Sequence, residues 1–385
     1  MLFLTKKVKS EFLDSCQGIR TGSLRLRTPE GEVFDFGGGG MQAELHLHDW
    51  SVVTAVATRG GVGLGESYVA GLWDTPSIVD LSRVALENLD RLSTYAYGNF
   101  WNRLKMRMID RILRANSRRG SSRNIRGHYD VGNEFYQLWL DPGMTYSSAL
   151  FVPGDNDLLR GQNRKYDRIL GRLTGGERVL EIGCGWGGFA ERAADAGRHV
   201  TGLTISPSQK GYADARLDGR GEIRLQDYRD CGGKFDNIVS IEMIEAVGQR
   251  YWPTYFATLK NRLAEGGRAV VQAITVQDAN FERYRNSSDF IRQHTFPGGL
   301  LLSDAMIADQ ARRAGLVVRD NFAFGQDYAR TCVAWADQLQ RQEARIRRLG
   351  YGDTFLRSWR YYLDICTATF ATGRTDVVQV ELAHV

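Results

Sequence analysis

The chain has 385 residues, a formal net charge of +5 and 43% apolar residues. That exceeds one average domain and can build sizeable cores, so disorder along the whole chain is excluded. No run reaches the ~18 consecutive apolar residues of a membrane-spanning helix. Met1 to Lys7 puts apolar residues before charges, the reverse of a secretory signal.

The N-terminal part mixes short strand-like runs with turns. Phe34-Asp35-Phe36 runs into the turn Gly37 to Gly40, and Glu44 to His48 alternates like a half-buried strand. His46 and His48 share a face of that strand, but no further metal ligands are placed for them. Asp80 to Leu89 has helical apolar spacing. Phe100 to Asn116 reads as an amphipathic helix. Residues 101–126 carry nine Lys/Arg against the single acid Asp110, and Ser117 to Arg123 is the best linker candidate. The expected division is therefore residues 1–118, a domain with a basic linker helix, and residues 119–385, a second domain.

From about Thr174 strands and helices alternate. Arg178–Ile182, His199–Ile205, Phe235–Ser240 and Arg268–Ala273 read as strands. Helices are expected near Gly188–Ala196, Pro207–Ala215 and Tyr251–Leu263. Ser206 is the expected N-cap of the second of these helices, with Pro207 at its first position. The fold class is α/β: a doubly wound, mostly parallel, Rossmann-like sheet behind a smaller N-terminal α+β domain. Five widely spaced cysteines without a C-x-x-C argue against a disulfide framework or zinc ribbon, and for a reducing cytosol.

The loop Glu181-Ile182-Gly183-Cys184-Gly185-Trp186-Gly187-Gly188 lies between an expected strand and helix. Its glycines allow a tight turn and close approach to a nucleotide-like cofactor. The pattern alone does not choose between a dinucleotide and S-adenosylmethionine. A dinucleotide site wants an acid at the end of the second strand, and Leu203-Thr204-Ile205-Ser206 has none. The Glu-x-Gly-x-Gly form resembles the first motif of class I methyltransferases.

Further segments narrow the resemblance. They are Gly127 to Phe135, Leu140-Asp141-Pro142, Met144 to Ser147, Gln226 to Asp230, Met243 to Gly248 and Phe324-Gly325-x-Asp327-Tyr328. Together they resemble the cyclopropane-fatty-acid synthase family, which includes the mycolic acid methyltransferases. Gly63 to Tyr68 and Gly71 to Asp74 extend the likeness weakly into the N-terminal part.

The resemblance implies a lipid-modifying transferase that moves a methyl group from S-adenosylmethionine to an acyl-chain double bond through a carbocation. It implies cofactor contacts from Tyr146, Ser147, Gly183, Gly185, Trp186, Gly187, Thr204, Ser206, Gln209, Gln226 and Asp227. It also implies a bound bicarbonate as base, held by Cys, Glu, His and Tyr side chains. Glu245 and Tyr328 match two of these. The cysteine position is Ser148 and the histidine position is Gln272, so the anion site is altered, which tilts the expected product from ring closure towards branching. His128 matches a residue near the active site. Glu242 reads as a poorer match to the catalytic acid than Glu245.

Phe135, Tyr136, Trp139, Phe151, Phe290 and Phe296 are candidates to stabilise the cation. The resemblance further implies unsaturated phospholipid at an anionic membrane surface, with the protein cytoplasmic and peripheral on the inner face, and a homodimer. A methylene product would require a partner reductase. The basic stretch from Arg103 to Arg126 suits such a surface. No nucleic-acid reading module is visible, so methylation of RNA or a small molecule is the alternative.

Overall fold

The computed structural model of the chain describes residues 2–92 and 131–385. The basic amphipathic segment, the linker and His128 lie outside the described residues. The larger sheet has seven strands: β5 Arg178–Ile182, β6 His199–Thr204, β7 Glu222–Leu225, β8 Phe235–Ile241, β9 Leu263–Val276, β10 Leu316–Ala323 and β11 Thr375–His384. Their order is β10-β11-β9-β8-β5-β6-β7. All neighbours from β9 to β7 run parallel, and β11 runs antiparallel to β9 and β10. This is the expected doubly wound sheet.

Helices on both faces explain why β5 reads as a continuous apolar run. Four of its five residues are buried, as parallel strands covered on both sides require. Ser206 caps the helix Pro207–Leu217 through the Gln209 N–H, as its sequence predicts. The strand order reverses between β5 and β8. The crevice outside the carboxyl ends of such strands is where open α/β sheets bind ligands.

The N-terminal part is a four-stranded sheet of β1 Ser23–Arg27, β2 Val33–Gly37, β3 Gln42–Leu47 and β4 Trp73–Asp74, in the order β2-β1-β3-β4. It is more helical than its strand-and-turn sequence pattern suggested. Helices span Leu2–Cys16, Ser51–Arg59, Gly61–Val69 and Ile78–Glu87. The strand β1 alternates buried and exposed residues, because only one face of this sheet is covered.

The two parts meet on the C-terminal helix Asp353–Ala371. Its Tyr361 ring lies 5.6 Å from Tyr68 and 4.9 Å from Phe290. Arg357 donates to the carbonyls of Tyr68 and Trp73 at 2.6 and 3.0 Å. Gly65 allows this approach: a Cβ there would stand 2.5 Å from Phe290 and 2.6 Å from Tyr361. All five cysteines are free. His46 and His48 pair separately with Glu44 and Asp74, at 3.0 and 2.8 Å.

Candidate active site

A cavity of about 720 Å³ opens at the carboxyl ends of β5, β6 and β8 and continues beneath the N-terminal sheet. Its near end is lined by the glycine loop. Its middle is lined by Glu242, Glu245 and Tyr328, and its far end by Leu24, Leu45, Leu47, Val53 and Leu81. The residues of the N-terminal sheet that border it are apolar, while Asn280, Arg283, Asp289 and Arg292 add polar groups elsewhere on its wall.

The glycine loop owes its shape to backbone that other residues rarely adopt. Gly183, Gly185 and Gly187 have φ of 82°, 51° and 82°. The N–H groups of Gly183 and Cys184 both donate to the Leu203 carbonyl, at 3.0 and 2.9 Å. A Cβ on Gly183 would strike Met243 at 2.8 Å, while one on Gly185 would meet nothing within 4 Å. The second glycine thus leaves open space for a ligand. Beside the loop, Glu181 is buried and its Oε2 has no hydrogen-bond partner among the described residues. Burial pushes its carboxyl up to about 8, against the pull of Lys165. A buried acid with an open oxygen suits the amino group of a methionine-like ligand. S-adenosylmethionine therefore fits these residues.

The other expected cofactor residues gather at the same end. Thr204 closes β6 and its hydroxyl bonds Gln209 at 3.0 Å. Ser206 receives its position from the helix cap, not from the cavity wall. Gln226 and Asp227 follow β7 and line the cavity. The Asp227 carboxylate is already held by Arg229, through Nε at 2.8 Å and Nη2 at 2.5 Å. Trp186 donates to Asn133 at 2.8 Å. Tyr146 meets the Tyr362 hydroxyl at 3.0 Å. Ser147 accepts from Lys165 Nζ at 2.6 Å.

Lys165 was not legible as a site residue. It sits on the helix Leu158–Leu170, is fully buried, and also bonds Gln162 at 2.6 Å. Burial lowers its ammonium to about 7, while Glu242, Asp141 and Glu181 pull it back up. Lys165 stands among Arg160, Arg164, Asp167 and Arg168 on that helix, and nothing in this charged run signals its burial.

The corner around Glu242 corrects the sequence reading most. Its Oε1 accepts from the Ser148 N–H at 2.9 Å and from Gln272 Nε2 at 2.7 Å. Its Oε2 accepts from the Tyr328 hydroxyl at 2.5 Å. Three positions expected to surround an anion thus surround a side chain instead. The Ser148 hydroxyl is turned away, towards the Ala149 carbonyl at 3.0 Å, so only its backbone faces the carboxylate. Gln379 donates to Gln272 Oε1 at 2.9 Å, which leaves the Gln272 amide nitrogen for Glu242.

Glu245 lies on the next turn. One oxygen accepts from the Ile274 N–H at 2.5 Å, and the other has no partner among the described residues. Burial, then the Glu242 charge, push it up to about 8. It is the neutral member of the pair near pH 7. Burial also raises Glu242, but Lys165, Tyr328, Ser148 and Gln272 all favour its charge. The two carboxyls thus stand in contrasting environments three residues apart.

The aromatic expectations separate in the same way. Phe290 and Phe296 line the cavity. Phe135, Tyr136 and Trp139 are completely buried behind it, with the Tyr136 ring 5.0 Å from Trp186 and 5.6 Å from Tyr146. They brace the wall. Phe151 stacks under Arg330 at 4.1 Å, away from the cavity. Tyr361, Tyr362 and Phe370, from the helix Asp353–Ala371, supply faces the sequence had not singled out, beside the expected Tyr328.

Residues 116–380 match the mycolic acid cyclopropane synthetase family, so the chain belongs to it and is an S-adenosylmethionine-dependent methyltransferase. It is 36% identical over 354 residues to the tuberculostearic acid methyltransferase of Mycobacterium tuberculosis, covering 87% of this chain and 81% of that one. It is 33% identical over 347 residues to the cyclopropane-fatty-acyl-phospholipid synthase of Escherichia coli K12, covering 89% and 88%. The structure of the Mycobacterium tuberculosis cyclopropane synthase MmaA2 superposes with a TM-score of 0.64 at 28% identity, over 68% of this chain and 98% of that one.

Proposed function

We propose that this methyltransferase transfers a methyl carbon to the C=C bond of an unsaturated phospholipid acyl chain lying in the apolar cavity. The observation that carries this is the cavity's continuity. One space joins the glycine loop, the two carboxyls and the hydrocarbon interior beneath the N-terminal sheet. A small polar acceptor or an RNA base would leave that hydrocarbon end unused.

S-adenosylmethionine supplies an electrophilic methyl on a sulfonium. The residues of this chain do the rest. Gly183 and Gly185 bring backbone close to the cofactor, Glu181 and Ser147 face its polar end, and Gln226 and Asp227 flank its base, while Gly187 packs against Ala213 instead of the cavity. An alkene is a weak nucleophile, so alignment is the first requirement. Methyl attack leaves a cation on the acyl chain, which water would capture. Tyr146, Phe296, Tyr328 and Phe370 wall off water and present π faces. Glu245 and Tyr328 stand where the double bond would lie.

The departures at Ser148 and Gln272 favour an open, branched product over a ring. Peripheral membrane binding, a homodimer and a reductase for a methylene product belong to the same reading. No helix among the described residues is long and apolar enough to cross a membrane.

The test is mass spectrometry of acyl chains after incubation with unsaturated phospholipid vesicles and methyl-deuterated S-adenosylmethionine. A gain of one carbon is expected. Three retained deuteriums, or two with the double bond count kept, mark a branch. Two without a double bond mark a ring. No gain from any lipid, with the cofactor still bound, overturns the acyl-chain assignment.

A further inference from the structure

We propose that Glu242 is the general base of the reaction, a built-in carboxylate standing where a bicarbonate would otherwise be held. The inference rests on the acyl-chain methylation proposed above and names how its proton is removed.

The argument begins with occupancy. An anion held by this corner needs the donors of Ser148, Gln272 and Tyr328. All three already point at the Glu242 carboxylate, which uses both oxygens to receive them. A second anion would compete for these donors and lie against a like charge in a buried site, which is strongly unfavourable. Glu245, the remaining expected holder, adds a second carboxyl to the same space. Bicarbonate does not fit these residues.

The backbone gives an independent sign. Glu242 has φ of 50°, in the left-handed region that favours glycine. Such strain persists only where the surroundings hold it. Here β9 holds it: the Glu242 N–H donates to the Gln272 carbonyl at 2.8 Å, while the side chain receives the Gln272 amide. A glycine would adopt this conformation freely. It would also leave a carboxylate-sized gap ringed by the same donors.

The surroundings suit a base. Lys165 is close enough to favour the Glu242 charge but bonds Ser147 and Gln162 instead. Burial raises the carboxylate's basicity, while Lys165, Tyr328, Ser148 and Gln272 favour its charged form. Glu242 also lines the cavity beside Tyr328. In the step proposed, a C–H bond next to the cationic carbon, or on the new methyl, breaks. Its electron pair fills the vacant orbital as a new C=C or ring bond. The proton passes to Glu242 and leaves to solvent once product departs. The cofactor loses its methyl and its positive charge, so charge and atoms balance.

The experiment compares turnover of the full chain on unsaturated vesicles in carbon-dioxide-free buffer with and without added bicarbonate. The wild-type rate should change less than twofold. Glu242→Gln should lose at least about a hundredfold in kcat, in the range of a removed general base, with the affinity for S-adenosylhomocysteine unchanged. Glu242→Gly should be equally slow and should be rescued at least tenfold by formate or bicarbonate, more by the more basic anion. A merely structural glutamate would give no such dependence on basicity. Bicarbonate dependence of the wild type overturns the proposal, as does full turnover by Glu242→Gln. If Glu242→Gln also loses the cofactor, the rescue of Glu242→Gly decides. Failure of the wild type to methylate any lipid instead defeats the functional reading on which the base assignment rests.

Discussion

The glycine loop and the Glu242 corner face the same cavity but are built on different principles. The loop binds through backbone: three glycines in left-handed conformations, adjacent in sequence, with their shape encoded locally. The corner binds through side chains and one N–H drawn from four separated segments, at Ser148, Glu242, Gln272 and Tyr328. The loop can therefore keep its family pattern while the corner is rebuilt by a few substitutions.

Breaking the loop should have the largest effect. Gly185→Val forces a β-branched residue to φ of 51° and fills the space left for the ligand. The strain alone is about 1–3 kcal/mol, or roughly 10- to 100-fold in affinity, and the lost space adds to it. Calorimetric titration with S-adenosylhomocysteine should show it; a Kd within twofold of wild type would count against the loop as the cofactor site.

Breaking the corner should spare the cofactor. Tyr328→Phe removes the hydroxyl that reaches Glu242 Oε2 at 2.5 Å. A hydrogen bond to a charged group contributes about 1.5–3 kcal/mol, so kcat should fall about 10- to 100-fold. Cofactor affinity should stay unchanged, and a parallel loss of both would merge the two regions into one.

A change outside both tests whether the N-terminal wall is a separate element. Gly65→Ala puts a methyl 2.5 Å from Phe290 and 2.6 Å from Tyr361. Overpacking of this kind costs about 1–3 kcal/mol. Denaturant unfolding should report the loss, with cofactor affinity retained. No change in stability would mean that the two parts do not close on each other here.

A pH-resolved test sharpens the division between the two carboxyls. Glu245 is raised from 4.5 to about 8 in the fold. Its neutral form is favoured on folding, so its contribution is fully present below pH 4.5 and fades as pH rises towards 8. Glu245→Gln should therefore flatten the decline in stability across that window. Thermal unfolding at several pH values measures it, and an unchanged slope would assign the raised acid elsewhere.

Much of this was legible in sequence because it is periodic or local. Four of the five parallel strands read correctly because burial on both faces leaves continuous apolar runs, as in Val179 to Ile182, whereas the edge strand β7, with one buried residue, gives no such run. The Ser206 cap and the glycine loop read correctly because their signals lie within a few residues of each other. The N-terminal helices were less legible, since Gly61–Val69 contains three glycines and depends on packing for its stability.

The sequence by itself determined the cofactor loop, the sheet and the family, since each is carried by neighbouring residues. Only the tertiary structure decided what the two glutamates do. Glu242 and Glu245 are three residues apart and chemically identical. One is ringed by Ser148, Gln272 and Tyr328, and the other meets a single backbone N–H. Charge on a buried carboxyl is set by such partners, and chain folding alone brings them together.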